Sequence, residues 1–237
     1  MTKLIFDIET IGEDWDSLDQ TTQETLTRWL KKEAFSEEEY GNALADIKNG
    51  LGFSPLTGEI AVIGVLEFET NKGAVYYQAP GEKIADFEEN NIKFKALTEK
   101  EMLEKFWQGL INYTEFISFN GRGFDAPFLM IRSAIHGLKP TKDLMSNRYL
   151  NNQKFNASHV DLQDQLTFYG AVRRKPSLHL ACRAFGIKSP KAEGITGDDV
   201  KKLFKDKEYL KIARYNLGDL QATKQLYEKW DKFINIK

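Results

Sequence analysis

The run Leu4-Ile5-Phe6-Asp7-Ile8-Glu9-Thr10 constrains the fold of this chain more than any other segment. Its apolar, period-two spacing predicts a strand over residues 3–9. Alternate side chains of a strand share a face, so Leu4, Phe6 and Ile8 read as core. Asp7 and Glu9 then emerge together on the opposite face. Adjacent carboxylates raise each other's pKa and repel, so the pair adds nothing to the strand itself. A divalent cation turns that repulsion into a binding site; an exposed strand end is the structural alternative.

At 237 residues the chain is long enough for one well-packed α/β domain. With 41% hydrophobic and 29% charged residues it has the composition of a soluble globular protein. The longest apolar stretch, around Ile60 to Leu66, is strand-sized, and no membrane partner is expected. A strand starting at residue 3 leaves no room for a signal peptide. The single cysteine, Cys182, excludes an internal disulfide and fits a reducing, cytoplasmic location. It lies in a helix-like segment and reads as a small buried apolar residue. A net charge of −2 does not advertise a nucleic-acid binder. The charge is uneven: residues 173–214 are rich in Lys and Arg, and residues 12–50 are acidic. Solvated helix faces account for both.

Along the chain, residues 12–50 form a polar insertion with two helical patterns. Leu18, Leu26, Trp29 and Leu30 mark the first; Tyr40, Ala43, Leu44 and Ile47 mark the second. Strands are expected over 59–69 and 74–79, with a turn at Asn71-Lys72-Gly73. Thr98-Glu99-Lys100-Glu101 is a capping-box signature for a helix burying Met102, Leu103, Phe106, Trp107 and Leu110. A strand over 114–119, a helix over 126–136 and a strand over 158–162 follow. Helical segments are expected near 162–170 and 177–186, and an amphipathic helix closes the chain over 208–232. Strands first, then strands alternating with helices, predict an α/β fold: a mixed sheet with helices on both faces. The expected organisation is a single domain over 1–237, decorated by the insertion at 12–50.

Two later segments bear on Asp7 and Glu9. In Phe119-Asn120-Gly121-Arg122-Gly123-Phe124-Asp125-Ala126-Pro127 a strand runs into a glycine-rich turn and a helix. Asp125 is either the helix N-cap or a carboxylate placed at a strand end for chemistry. In Tyr215-Asn216-Leu217-Gly218-Asp219, Tyr215 and Asp219 are four apart and share one helix face. Gly218 costs about 1 kcal/mol relative to alanine inside a helix, which suits a close approach by another backbone.

Taken in order, Asp-x-Glu, Asn-x-x-x-Phe-Asp and Tyr-x-x-x-Asp resemble the motifs of the DEDD superfamily of 3′–5′ exonucleases, which have a ribonuclease H-like fold. Tyrosine in the third motif is similar to the DEDDy branch, which includes the proofreading domains of DNA polymerases. With His159-Val160-Asp161-Leu162, Ser177-Leu178 and Gly186-Ile187, the chain most resembles stand-alone predicted exonucleases related to family-B polymerases. The resemblance runs from residue 3 to about 230, and 12–50 is the part it covers least.

The resemblance implies catalytic roles for Asp7, Glu9, Asp125, Tyr215 and Asp219. Asp7 would bridge two divalent cations, Glu9 and Asp219 would complete one site, and Asp125 would serve the other. Hard oxygen ligands suit Mg²⁺ or Mn²⁺. Two ions about 4 Å apart stabilise the attacking and leaving oxygens of an in-line displacement at phosphorus. Tyr215 would orient the attacking water, since a tyrosine of ordinary pKa is a poor base at neutral pH. The leaving group would be the 3′ oxygen of the penultimate nucleotide, and the product a nucleoside 5′-monophosphate. Thr10, Ile11, Asn120 and Phe124 are implied to bind substrate, with core packing an alternative for Phe124. His159 and Asp161 are either an auxiliary ligand pair or a strand end entering a helix. Arg173, Arg174 and Lys175 either reach a phosphate backbone or form a solvated loop. The expected partner is a single-stranded 3′ end, DNA favoured over RNA, with a polymerase or repair protein in trans. The alternatives are a 3′–5′ exoribonuclease and, in another class, an inactive nuclease-like binding module.

Overall fold

The acid-bearing segment forms strand β1 (Lys3–Gly12) in the computed structural model, which describes residues 2–189 and 197–236. β1 is buried on both faces. Leu4, Phe6 and Ile8 enter one core layer, while Ile5 and Ile11 enter the other. The face carrying Asp7 and Glu9 is therefore not a solvent face, as one apolar side alone would suggest. It lies at the margin of a second core.

Residues 13–57 separate β1 from β2 (Gly58–Glu67), although these are antiparallel neighbours that a short turn could join. The intervening chain forms α1 (Gln20–Thr27), α2 (Leu30–Glu33) and α3 (Glu37–Gly50). The first expected pattern is split in two, with Leu30 buried and Trp29 about half exposed. The second pattern holds: Tyr40, Ala43, Leu44 and Ile47 are all half-buried on α3. Ser36 Oγ accepts from Glu39 N–H at 3.1 Å and caps this helix. Glu37, Glu38 and Glu39 occupy its first turn, where the helix dipole favours negative charge. Part of the insertion's acidity thus has a local structural cause.

A 3-10 turn, Leu51–Phe53, locks the insertion onto β1. A Cβ on Gly12 would stand 2.7 Å from Leu51 Cβ, and one on Gly52 would stand 2.9 Å from Gly12 N. Only glycine permits that approach.

Strands β3 (Gly73–Tyr77), β4 (Phe87–Glu89), β5 (Ile92–Ala96), β6 (Glu115–Ser118) and β7 (Ser158–Asp161) follow. Among the described residues the strands form one mixed sheet, in the order β4-β5-β3-β2-β1-β6-β7. β1 pairs antiparallel with β2 and parallel with β6, and β6 pairs parallel with β7. The β4–β5 hairpin is not among the expected elements. It turns at Asn90-Asn91, both with positive φ (50° and 65°), the geometry a two-residue hairpin turn demands. Its charged residues, with Glu88 opposite Lys93, mask the alternation of buried Ile92 and Phe94.

Helices α4 (Glu99–Leu110) and α5 (Asp125–Ile135) cover one face of the sheet. α4 starts at the expected capping box, with Thr98 and Glu101 bonded reciprocally. Its Met102, Leu103, Phe106, Trp107 and Leu110 pack on Phe6 and Phe116. α6 (Leu162–Leu166), α7 (Leu178–Phe185), α8 (Val200–Lys205) and α9 (Tyr209–Phe233) lie on the other face. There Ile212, Ala213, Leu220 and Leu226 of α9 meet Ile5, Val62 and Val75, and Cys182 is buried among them. The fold is the α/β sheet with helices on both faces that the element order predicts.

Candidate active site

Three acids converge where α9 crosses β1. Asp7, Glu9 and Asp219 each offer a carboxylate oxygen, and these atoms lie within 4.8 Å of one another. Glu9 and Asp219 are buried and Asp7 is half-buried. A β-bulge between Glu9 and Thr10 breaks the register just past the acids and re-aims the strand end. Burial lifts the Asp7 pKa well above the usual carboxylate range, and the charges of Asp125, Asp219 and Glu9 push it further. Hard oxygen donors gathered under mutual repulsion suit a divalent cation of the Mg²⁺ or Mn²⁺ type. Asp7, Glu9 and Asp219 fit such a group.

α9 can lie this close because β2 carries Gly64 directly opposite Asp7. A Cβ there would stand 1.9 Å from Asn216 Oδ1 and 2.7 Å from Leu220 Cδ1. A close approach is made at Gly64. Through the gap the fully buried Asn216 donates from Nδ2 to Asp7 Oδ2 at 2.7 Å. Asn216 is a site residue that the sequence reading did not single out, although it lies inside the third motif. Its partner is 209 residues away in the chain.

Asp125 does not cap α5. The N-cap is Phe124, with no side-chain bond, and Asp125 is the first helical residue. Pairing of β1 with β6 ends at Ile5, and Asp125 Oδ1 instead accepts the Ile8 N–H at 3.0 Å. Asp125 is buried and close enough to repel Asp7, but it is not in the three-acid set. Burial raises its pKa to about 7.

Asp161 and His159 serve the turn that delivers Asp125. Asp161 accepts Asn120 N–H on Oδ1 and Arg122 N–H on Oδ2, both at 2.9 Å, and also caps α6 through Gln163 N–H at 2.9 Å. His159 is buried, with Nδ1 against Leu144 O at 3.0 Å and Nε2 against Ser118 Oγ at 2.7 Å. Burial lowers its pKa to about 4, so the ring is neutral, donates to the carbonyl and accepts from the serine. Both nitrogens are engaged, and neither residue belongs to the convergent set. The geometry is that of a strand end entering a helix, with an added clamp on the turn. Gly121 is required there, since a Cβ would stand 2.1 Å from Ser118 Oγ.

Tyr215 is buried and hydrogen-bonded to Asp219. Burial, then the charges of Asp219, Glu9 and Asp7, raise its pKa, so the phenol stays protonated and acts as a donor. Thr10 donates to Gly52 O at 2.7 Å. Thr10 and Ile11 line a cleft of ≈ 410 Å³ with Asn49 and Phe53 of the insertion side and Lys201 of α8. Asn120 has a φ of 62° and its backbone is held by Asp161. Phe124 is half-buried against Phe128, with ring centroids 5.5 Å apart. Arg173, Arg174 and Lys175 are exposed. No described helix is long and apolar enough to cross a membrane.

Comparison with known proteins bears on this geometry. A family model described as a predicted 3′–5′ exonuclease related to the exonuclease domain of PolB matches residues 75–235. The match contains Asp125, Tyr215 and Asp219, while Asp7 and Glu9 precede it and join them only through the sheet. No curated protein matches the chain. Among solved structures it is similar to the family B DNA polymerase of the hyperthermophilic archaeon Pyrobaculum calidifontis, at 17% identity and a TM-score of 0.57. That likeness covers 97% of this chain and 24% of the polymerase, and it shows a ribonuclease H-like fold. The chain belongs to the family of predicted 3′–5′ exonucleases related to the exonuclease domain of PolB.

Proposed function

We propose that this member of the PolB-related exonuclease family removes nucleotides from the 3′ end of single-stranded DNA, releasing nucleoside 5′-monophosphates. The observation that carries the reading is the convergence of Asp7, Glu9 and Asp219, from strand and helix, within 4.8 Å. Asp7, Glu9 and Asp219 would hold one divalent cation, and Asp7 with Asp125 a second. Bound Mg²⁺ or Mn²⁺ supplies charge neutralisation at the scissile phosphate and lowers the pKa of water.

The chain's own residues account for the remaining requirements. Tyr215, protonated and donating to Asp219, would hold a water through its phenol oxygen as acceptor and would not take its proton. Thr10 and Ile11 border the cleft that would receive the terminal nucleotide. Lys201 puts a cation on its far wall, and Phe53, 66% exposed, offers a surface on which a base can stack. The insertion is thereby a part of the substrate groove in the same domain, since its last turn is bolted to β1. Any proofreading would be done in trans for a separate polymerase or repair protein.

The test is to give the protein 5′-labelled linear single strands of DNA and RNA, and a circular DNA of the same sequence, with Mn²⁺. Stepwise shortening of linear DNA with 5′-mononucleotide release, and an intact circle, is expected. Shortening of RNA alone would move the substrate to RNA. Cutting of the circle would refute the requirement for an end.

A further inference from the structure

Asn216 is fully buried, and only half of its amide is satisfied. Nδ2 donates to Asp7 Oδ2 at 2.7 Å, while Oδ1 has no hydrogen-bond partner. An unpartnered buried carbonyl is destabilising. Packing alone would be served better here by leucine, which has the same shape and no polar atoms. The neighbourhood is also built around the amide. Gly64, the cross-strand partner of Asp7, is the only residue type that leaves Asn216 room, because a Cβ would stand 1.9 Å from Oδ1. Glycine inside a strand is itself unfavourable. Two locally unfavourable choices, on β2 and α9, combine to set one N–H against one oxygen of Asp7.

We propose that Asn216 is a positioning residue for the cation site: its amide N–H fixes one carboxylate oxygen of Asp7 and so presents the rest of that carboxylate to the ions, with Gly64 as the enabling partner. The inference rests on the reading that Asp7 is a cation ligand. Asp7 is pressed by the charges of Asp125, Asp219 and Glu9 together. Left to itself, such a carboxylate would rotate away from its neighbours. A donor behind it holds it in the converging rotamer before any ion arrives. Partners that orient a ligand in this way typically carry 10–100-fold in metal affinity.

The experiment is Mn²⁺ binding to the metal-free protein, followed by electron paramagnetic resonance, with a thermal melt of each variant in EDTA. Asn216→Leu keeps the packing and removes both the donor and the unpartnered carbonyl. It is expected to melt at or above the wild-type temperature and to bind Mn²⁺ about 10–100-fold more weakly. Its cleavage rate should fall at limiting Mn²⁺ and recover as Mn²⁺ is raised. Gly64→Ala keeps the amide but forces it off Asp7, and should weaken Mn²⁺ binding in the same direction. A folded Asn216→Leu or Gly64→Ala protein with wild-type Mn²⁺ affinity overturns the proposal. Wild-type protein that binds Mn²⁺ but cleaves no strand would sink the nuclease reading and leave this one standing. Wild-type protein that binds none would sink both.

Discussion

Asp7 and Tyr215 show how single residues are tuned at this site. Asp7 is raised by burial and by three carboxylates, and Asp125 is raised to about 7, chiefly by burial. Without a cation the native protein therefore holds protons that the unfolded chain has released. A raised carboxylate pKa makes stability fall as pH climbs from near the ordinary aspartate value of 3.8 towards about 7. Buried, neutral His159 pulls the other way only up to about its ordinary 6.5, so above that the carboxylates dominate, and the metal-free protein should melt about 2–4 °C lower at pH 8 than at pH 7. Saturating Mn²⁺ should erase most of that difference, because the ion favours the charged acids. Glu99 does not oppose this in the same window. Burial pushes it up, but hydrogen bonds from Arg132 and His136 hold it below its ordinary 4.5. A flat or rising melting profile in EDTA between pH 7 and 8 would contradict the raised carboxylates. Tyr215→Phe removes the phenol's hydrogen bond to Asp219 and the oxygen proposed to hold the water. A fall of about 10–100-fold in kcat is expected from steady-state kinetics, in a protein that still folds but melts a few degrees lower.

At the scale of elements, the turn between β6 and α5 is held from outside by Asp161 on β7. That carboxylate takes two backbone N–H groups of the turn and one of α6. Asp161→Ala should destabilise the protein by about 2–4 kcal/mol in urea unfolding, since it strands those donors in a largely buried place. Asp161→Asn should cost less and leave Mn²⁺ affinity near wild type; a collapse of affinity in that folded variant would instead make Asp161 a ligand. The sequence carried β1, the capping box at Thr98 and the i,i+4 pair of α9 openly, because each is a local pattern of spacing and charge. It carried Asp7, Glu9 and Asp219 for the same reason. The hairpin at Asn90-Asn91 was obscured by its short, half-polar strands. Asn216 and Gly64 were invisible as a pair because their meaning lies in a contact between β2 and α9, and no local signal joins them. Asp125 left two local readings open because aspartate before a helix is usually a cap; here the end of β1–β6 pairing leaves Ile8 N–H to claim it.

Across the whole molecule, the site is assembled from the two ends of the chain, with α9 laid over the sheet to close it. Its overall charge of −2 leaves little long-range attraction for a polyanion, so substrate affinity must come from local cations and stacking. The exposed turn Arg173-Arg174-Lys175 is expected to meet the strand beyond the cleft. Replacing all three by alanine should reduce the salt slope of single-strand binding by about 2, as for three lost phosphate contacts. An unchanged slope in fluorescence anisotropy would make that turn a solvated loop. Cleavage by this protein depends on the converging acids being a cation site, and the deciding measurement is a calorimetric titration of Mn²⁺ into metal-free protein at pH 8. Two ions per chain in the wild type, with both lost in Asp7→Ala, is the predicted result. No uptake by the wild type, or equal uptake by Asp7→Ala, would contradict it.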